Sequence, residues 1–286
     1  MKQMITPDQE RWILSKAYVP EHIVSLMTTI SKGQPFLSKG HLYYVGDAWG
    51  ILVGYPLDSE FYSEIFSSIV KDVITCYPGH TWSIIAPRLP AELLSSGVEK
   101  QSDFYYSLSF EDFDRKEGLK RIAEKATSRL TVEVTRAMTP AHEAITKEFI
   151  EREDPGNLIR EFYCAMPDYV LHSETTLVIS ARDFDGYLSA FYVLDFAAKD
   201  FATYVIGCHS KNHYVPHASD LLFLKMVNMA RESGKDYINL GLGVNPGIQR
   251  FKKKWGGKPT IPYEFCRQQW GIMGIRTMID VLLSRL

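Results

Sequence analysis

Residues 234–257 read GKDYINLGLGVNPGIQRFKKKWGG, and the rest of the chain is organised around this stretch. It opens with a glycine that ends the preceding helix, and the apolar residues around Ile238 predict a short buried strand. Gly241 and Gly243 then permit backbone angles that a side chain would hinder. The turn at Asn245 starts a short helix of basic and aromatic residues. A strand end, a glycine-rich turn and a helix within one segment predict a functional site here.

The glycines of this segment do not match a dinucleotide-binding loop. That loop requires G-x-G-x-x-G at the start of a helix, with an acidic residue about twenty positions later. Here the glycines stand at 241, 243 and 247, one residue too far apart, and Pro246 takes the place of the third glycine. The sequence also lacks a G-K-[ST] phosphate loop. The pattern therefore gives little support to a Rossmann-type site.

Composition limits the classes of protein to which this chain can belong. Its 286 residues are 45% hydrophobic, enough for one large core or two ordinary ones. A net charge of −2 disfavours a dedicated nucleic-acid binder, although a local basic patch and an RNA partner remain compatible with it. The four cysteines are scattered and include no C-x-x-C pair, as in reduced cytoplasmic proteins. No apolar stretch has the length of a signal core or a membrane span, so we expect a cytoplasmic protein.

The second half of the chain predicts alternating strands and helices. Thr139 is a predicted helix cap, and Pro140 is the first residue of that helix. Pro167 is expected to end the next helix. The predicted order is strand 131–135, helix from 140, helix 157–165, strands 175–181, 187–196 and 201–208, helix 218–232, strand 237–241, helix from 246 and strand 260–267.

The first half predicts a similar but less regular order. It begins with a polar start at 5–12, and then come helix 20–30, hairpin 43–55, a helix capped by Ser59, strand 81–86, short helix 87–96 and strand 104–110. Residues 115–129 form a basic helix with an apolar face, which indicates a connecting helix more than a docking surface. Residues 274–286 predict an amphipathic terminal helix.

The organising segment resembles the end of a GNAT-fold acyltransferase domain, especially in the branch that contains the Fem peptidoglycan aminoacyltransferases and the lysyl-phosphatidylglycerol synthases. The matching residues are Arg250-Phe251-Lys252 and Trp255-Gly256. The resemblance covers residues 131–265, and the first half looks like a degenerate copy of the same unit. It implies an α/β (α+β) fold of two GNAT-like units, each a mixed, mostly antiparallel sheet flanked by helices. The expected units are 1–114 and 115–286, the latter beginning with the basic linker helix.

The resemblance also implies where the acyl group lies. In GNAT domains two central strands separate, here 201–208 and 237–241, and the activated acyl group occupies the gap. An attack on that group needs a donor to the developing oxyanion and an acceptor for a proton. Lys252 is implied as the oxyanion stabiliser, and Arg250 as a phosphate ligand. The alternative is that residues 252–254 form a solvated helix face. GNAT domains often place a tyrosine near this helix as general acid, but this chain has Phe251 there.

The donor stays open between acyl-CoA and aminoacyl-tRNA. GNAT enzymes that use CoA bind its pyrophosphate with a glycine-containing loop at a helix N-terminus. Residues 210–219 occupy that place and contain no glycine, as in the Fem-like branch, whose donor is aminoacyl-tRNA. We expect contacts to the donor from five residues, namely Arg250, Asn245, Ala218, Ser219 and His213.

Asp195 and His209 are the predicted catalytic partners of Lys252, because either can accept a proton near the inner strand ends. His209, His213 and His217 are spaced four residues apart, but Pro216 would break a helix through them, so no metal is predicted.

These features predict an acyltransferase that moves an acyl or aminoacyl group onto an amine or hydroxyl. The acceptor could be a small molecule, a peptide or a lipid headgroup, and tRNA is a possible partner. The alternative is a catalytically inactive GNAT scaffold that binds a ligand or a partner.

Overall fold

The computed structural model describes residues 4–96 and 99–269. The helices are α1 (Pro7–Lys16), α2 (Val24–Ser31), α3 (Ser63–Cys76), α4 (Ala91–Ser96), α5 (Phe110–Asp114), α6 (Glu117–Lys125), α7 (Pro140–Glu153), α8 (Asn157–Cys164), α9 (Met166–His172), α10 (Ala218–Glu232) and α11 (Pro246–Lys254). The strands are β1 (Gln34–Ser38), β2 (His41–Val45), β3 (Trp49–Val53), β4 (Thr81–Ala86), β5 (Glu99–Ser109), β6 (Leu130–Thr135), β7 (Thr176–Asp183), β8 (Leu188–Asp195), β9 (Phe201–His209), β10 (Tyr237–Leu242) and β11 (Lys258–Gln269). None of the helices in these two ranges combines the length and the apolar character needed to cross a membrane.

The first compact unit contains residues 4–13, 31–96, 99–104 and 261–269 of the described chain. Its strands lie in the order β1-β2-β3-β4-β11, and every pair is antiparallel except β3 with β4. Helix α3 buries Phe66, Ile69 and Val73, and this stripe packs in one core with the buried Trp82 of β4.

The second compact unit contains residues 14–30 and 105–260. Its strands lie in the order β5-β10-β9-β8-β7-β6, and only β9 and β10 are parallel. Leu222, Met226 and Ala230 of α10 pack on one face of this sheet. Residues of α2, α7 and α9 pack on the opposite face, in a separate cluster. The sheet is therefore covered by helices on both faces, and the mixed α/β fold class is confirmed.

Some predicted elements need correction. Pro167 does not end a helix, because it lies in the first turn of α9, where proline is tolerated. Ser59 does not cap α3, since Tyr62 holds the N-cap position. Helix α1 and strand β1 were not predicted. The terminal helix predicted for 274–286 lies outside the described residues.

The compact units have different bounds from the sequence-based proposal of 1–114 and 115–286. Residues 14–30 belong to the second unit, and residues 261–269 belong to the first. Helix α6, the basic helix of the sequence, lies within the second unit, where Ala123 is buried in the core beside α10. Its apolar face therefore packs inside this unit, and α6 does not lie between the two units.

Candidate functional site

The parallel strands β9 and β10 separate after a short paired stretch. They pair at Tyr237 with Phe201, Ile238 with Ala202, and Asn239 with Thr203. Beyond these pairs, β9 shifts register against β8, and β10 shifts register against β5 between Asn239 and Leu242. Such irregularities bend a strand away from its neighbour. We call the opening beyond Thr203 and Asn239 the strand gap.

Lys252 lies beside the strand gap. Helix α11 begins after Asn245, whose side chain accepts a hydrogen bond from the Ile248 amide (2.9 Å). The helix turns Lys252 inward, and only 5% of this residue is exposed. Its Nζ donates to the Leu242 carbonyl at 2.5 Å. The interpretation of residues 252–254 as a solvated face is therefore wrong for Lys252.

Gly241 shows how closely the groups of the gap approach. Its φ of +72° lies in the left-handed region. A Cβ at this position would stand 3.9 Å from the Tyr204 carbonyl oxygen and 4.0 Å from Lys252 Nζ. Tyr204, the first residue of β9 that does not pair with β10, and the buried amino group of Lys252 thus lie on either side of Gly241.

A row of polar residues crosses the sheet where the gap begins. In successive strands, Thr176 pairs with Asp195, Asp195 with Thr203, Thr203 with Asn239, and Asn239 with Ser107. Side chains paired in this way point to the same face of a sheet. The neighbours Ile238 and Leu240 belong to the core beside α10, so the polar row faces the opposite side.

Asp195 accepts hydrogen bonds on both of its carboxylate oxygens. It is fully buried, and its Oδ2 accepts hydrogen bonds from Tyr169 (2.7 Å), Thr175 (2.9 Å) and Thr176 (2.9 Å). Its Oδ1 accepts from the amide of Ala197. This arrangement favours a structural role, and we do not include Asp195 in the site that we propose.

Asn239 and Thr203 carry buried polar atoms that lack a partner within the described part of the chain. Asn239 Oδ1 accepts from the Gly241 amide at 2.8 Å, which fixes the orientation of the side-chain amide. Its Nδ2 and the Thr203 hydroxyl are enclosed without a hydrogen bond among residues 4–96 and 99–269. Such atoms are costly, by about 1–3 kcal/mol each, and are therefore uncommon in folded proteins.

Glu21 lies on the same face as Asn239. Its carboxyl group interacts with Tyr105 of β5. Tyr105 pairs with Leu242 of β10, and its neighbour Tyr106 packs in the core beside α10. Because side chains alternate along a strand, Tyr105 and Glu21 lie on the face opposite α10. Burial raises the pKa of Glu21 to about 7, even though the Tyr105 hydroxyl lowers it. A carboxyl group with that pKa can accept a proton near neutral pH.

A cavity of about 410 Å³ opens at the start of α10. Three predicted residues line it together, namely His209, Ala218 and Ser219. Burial, followed by the charge of Arg152, lowers the pKa of His209. Asp220 also lines the cavity, where its carboxylate accepts from Lys254 (2.6 Å), Trp255 (3.0 Å) and His217 (3.0 Å).

The other predicted donor ligands lie outside this cavity. Arg250 is exposed on α11, and Asn245 is the N-cap of that helix. His213 stacks on Tyr187, with ring centroids 4.1 Å apart and planes 4° from parallel. Within residues 4–96 and 99–269, no group of three or more His, Cys, Asp or Glu side chains is arranged to hold a metal ion.

Comparison with solved structures places this geometry in a known fold. A domain named after the C-terminal part of lysylphosphatidylglycerol synthetase, from Agrobacterium fabrum, has a TM-score of 0.63 at 18% identity, covering 96% of this chain and 95% of that one. FemX has a TM-score of 0.59 at 12% identity, with 98% and 99% covered. A tandem GNAT protein from the clavulanic acid biosynthesis pathway has a TM-score of 0.53 at 12% identity, with 95% and 98% covered. The chain has a tandem GNAT fold. No protein-family model and no curated protein matches it.

The candidate residues differ in how much signal they leave in the sequence. The resemblance predicted both Lys252 as a candidate residue and the separation of β9 and β10, and the structure places Lys252 beside that separation. Asn239 was overlooked, although a polar residue inside the apolar run of β10 is a usable signal. Glu21 gave no local signal, because its position beside Tyr105 depends on the tertiary structure.

Proposed function

We propose that this protein transfers an acyl or aminoacyl group from an activated donor to an amine or hydroxyl acceptor. The observation that carries the proposal is the buried ammonium group of Lys252 beside the strand gap. Burying a charged lysine is costly, and such a residue is retained where its charge is used. The names of the structural relatives, lysylphosphatidylglycerol synthetase, FemX and a tandem GNAT protein, support the same class of reaction.

The proposed reaction follows from the two sides of the gap. The nucleophile of the acceptor attacks the carbonyl carbon of the donor, and negative charge develops on the carbonyl oxygen. Lys252 stabilises that charge from the side of α10 and α11. The bond to the leaving oxygen or sulfur then breaks, and the leaving group takes up a proton.

Glu21 replaces Asp195 in this proposal as the acceptor of the nucleophile's proton. Its carboxyl group lies on the face opposite α10, so the proposal brings the acceptor to the gap from the side opposite the donor. Its raised pKa allows it to take the proton at neutral pH and to release it again. Asn239 and Thr203 offer hydrogen bonds on this same face.

We favour aminoacyl-tRNA over acyl-CoA as the donor. A pyrophosphate cradle at a helix start needs several available backbone N–H groups. Before α10, Pro216 has none, and the Ala218 N–H donates to the Val215 carbonyl at 3.2 Å. Asp220 adds a carboxylate to the first turn. We therefore choose the donor by analogy with FemX and the synthetase domain, and not by analogy with enzymes that use CoA.

The test compares Lys252→Met with Lys253→Met, a matched change at the exposed neighbour. Each protein is given charged tRNA or acetyl-CoA, together with phosphatidylglycerol vesicles or peptides bearing free amines. We expect Lys252→Met to lower kcat/KM by about 100-fold or more, as the loss of an oxyanion donor does, and Lys253→Met to change it less than twofold. Full activity in Lys252→Met would overturn the assigned role. If the wild type binds a donor but transfers nothing, the inactive-scaffold alternative is favoured.

A further inference from the structure

Helix α6, the basic helix of the sequence, packs in the same layer as α11. Its apolar residues Leu119 and Ala123 lie in the core cluster beside α10, and this cluster also contains Trp255 at the end of α11. Lys120 of α6 lies over the Phe113 ring (4.8 Å), and that ring stacks on Trp255 with 5.6 Å between the centroids. Helices α6, α10 and α11 therefore cover the same face of the sheet.

Positive charge is concentrated in two segments of this helical layer. Residues 115–129 contain six basic and two acidic side chains, and residues 246–255 contain four basic and no acidic ones, although the whole chain has a net charge of −2. Five of these cations are exposed and have no ion-pair partner among residues 4–96 and 99–269. We call these five the basic surface, namely Arg121, Lys125, Arg129, Arg250 and Lys253. Charge that the protein itself leaves unneutralised attracts anionic partners.

The cations of α6 are regularly spaced. Arg121 and Lys125 are four residues apart and therefore lie on one face of α6, and Arg129 follows one short turn later. Glu124 is exposed beside them and offsets one of the three charges. A row of cations fits a partner whose anionic groups repeat, such as the phosphates of a nucleic acid backbone. Because α6 does not lie between the two units, a connecting role does not account for this row.

The packing of α6 distinguishes between two kinds of anionic partner. A helix that lies on a membrane inserts an apolar face at the boundary of the lipid tails. In α6 the apolar face packs in the protein core, and Ile122 is left 39% exposed. Residues 115–129 also contain no aromatic ring on which unpaired bases could stack. The surface therefore fits a double-helical nucleic acid, which is held through its phosphates and its shape.

We propose that the basic surface is a docking site for the double-helical stem of an RNA. The choice of RNA rests on the proposed function, in which the donor is an aminoacyl-tRNA. The stem lies against α6 and α11 while the aminoacyl end enters the strand gap on the side of Lys252. The basic surface makes no contact with the reacting atoms, and it contributes to the binding of the donor alone.

The test measures RNA binding with and without the charges of α6. Fluorescence anisotropy follows a hairpin RNA with the length of a tRNA acceptor stem at several salt concentrations. Arg121→Gln/Lys125→Gln should lower the affinity by about tenfold or more in low salt and reduce the slope of log K against log salt by about 2, because two phosphate contacts are lost. The matched control is Lys147→Gln/Lys199→Gln, which removes the same charge from exposed sites outside the basic surface and should change the affinity less than twofold.

Three results would overturn the proposal. They are a wild type that does not bind the hairpin, an unchanged affinity and salt slope in Arg121→Gln/Lys125→Gln, and an equal loss in the control pair. If Arg121→Gln/Lys125→Gln instead loses binding to phosphatidylglycerol vesicles while RNA binding is unchanged, the surface is a membrane contact and the assignment to RNA is wrong.

The basic surface and the catalytic proposal fail separately. A charged CCA trinucleotide lacks the stem, so Arg121→Gln/Lys125→Gln should use it as well as the wild type does, but should show a raised KM for charged tRNA. Transfer from tRNA that is the same in both proteins removes the basic surface alone. Weakened RNA binding in the variant, without any transfer by the wild type, removes the catalytic proposal and leaves an RNA-binding surface.

Discussion

At the scale of single residues, the second unit keeps several ionisable and polar groups away from water. Lys252, Asn239 and Thr203 are each at least 95% buried, and all three adjoin the strand gap. Other buried polar groups in this unit, such as Asp195, are saturated with donors. By contrast, Asn239 Nδ2 and the Thr203 hydroxyl have no hydrogen-bond partner among residues 4–96 and 99–269, which is why the proposed function offers these two groups to a substrate.

Glu21 makes stability depend on pH in a recognisable direction. Its pKa is about 7 in the folded protein and about 4.5 in an unfolded chain. Between these values the unfolded chain binds fewer protons, so the free energy of unfolding falls as the pH rises through this window. Glu21→Gln removes the effect, so its free energy of unfolding relative to the wild type should rise by about 3 kcal/mol between pH 4.5 and pH 7.5. Urea unfolding of both proteins at several pH values measures this change. A difference in the free energy of unfolding that stays the same at every pH would contradict the prediction.

Asp220 links the start of α10 to the end of α11. Asp220→Ala leaves the buried indole N–H of Trp255 without its acceptor and should cost about 1–3 kcal/mol at pH 7. Burial alone would raise the pKa of Asp220, but hydrogen bonds from Lys254 and His217 outweigh it and lower that pKa. This charge-dependent part of the stabilisation is present above about pH 4 and is lost as the pH falls through the folded pKa. The difference in the free energy of unfolding between wild type and Asp220→Ala should therefore be smaller at pH 3 than at pH 7. Urea unfolding at the two pH values measures it.

At the scale of elements, α11 determines the position of Lys252. Asn245→Ala removes the side-chain cap from this helix and should cost about 1 kcal/mol. Because the first turn then frays, we expect kcat to fall while the affinity for donor stays nearly unchanged. Asn245→Ser keeps a capping oxygen and should retain most of the activity. If Asn245 instead contacts the donor, as the sequence suggested, donor affinity will fall in both variants.

Periodicity predicted the elements whose packing follows from their own sequence. Residues 81–86 and 218–232 were predicted with the bounds observed for β4 and α10, because strong alternation or a continuous apolar stripe determines their faces. Predictions failed where tertiary contacts decide, as at Pro167, whose role depends on the start of α9. The candidate site divides in the same way. A local motif revealed Lys252, whereas Glu21 reaches the site only through Tyr105, a residue more than eighty positions away.

At the scale of the whole molecule, each compact unit is assembled from separate parts of the chain. Ile23 and Leu26, from the N-terminal region, share a core with Ile145 in the second unit. Cys266, near the end of the described chain, shares a core with Trp82 in the first. Neither core can therefore be completed by a continuous half of the sequence.

This organisation predicts that a fragment of residues 115–286 will not fold alone. The fragment lacks residues 14–30, which complete the core around Ile145, and residues 105–109, which pair with β10. Strand β10 would then expose an unpaired edge next to the candidate site, and such edges promote aggregation. We expect weak near-ultraviolet circular dichroism and no cooperative urea transition. A matched chain that joins residues 14–30 to 105–260 through a Gly/Ser linker should recover a cooperative transition. Cooperative unfolding of 115–286 alone would instead support the boundary expected from the sequence.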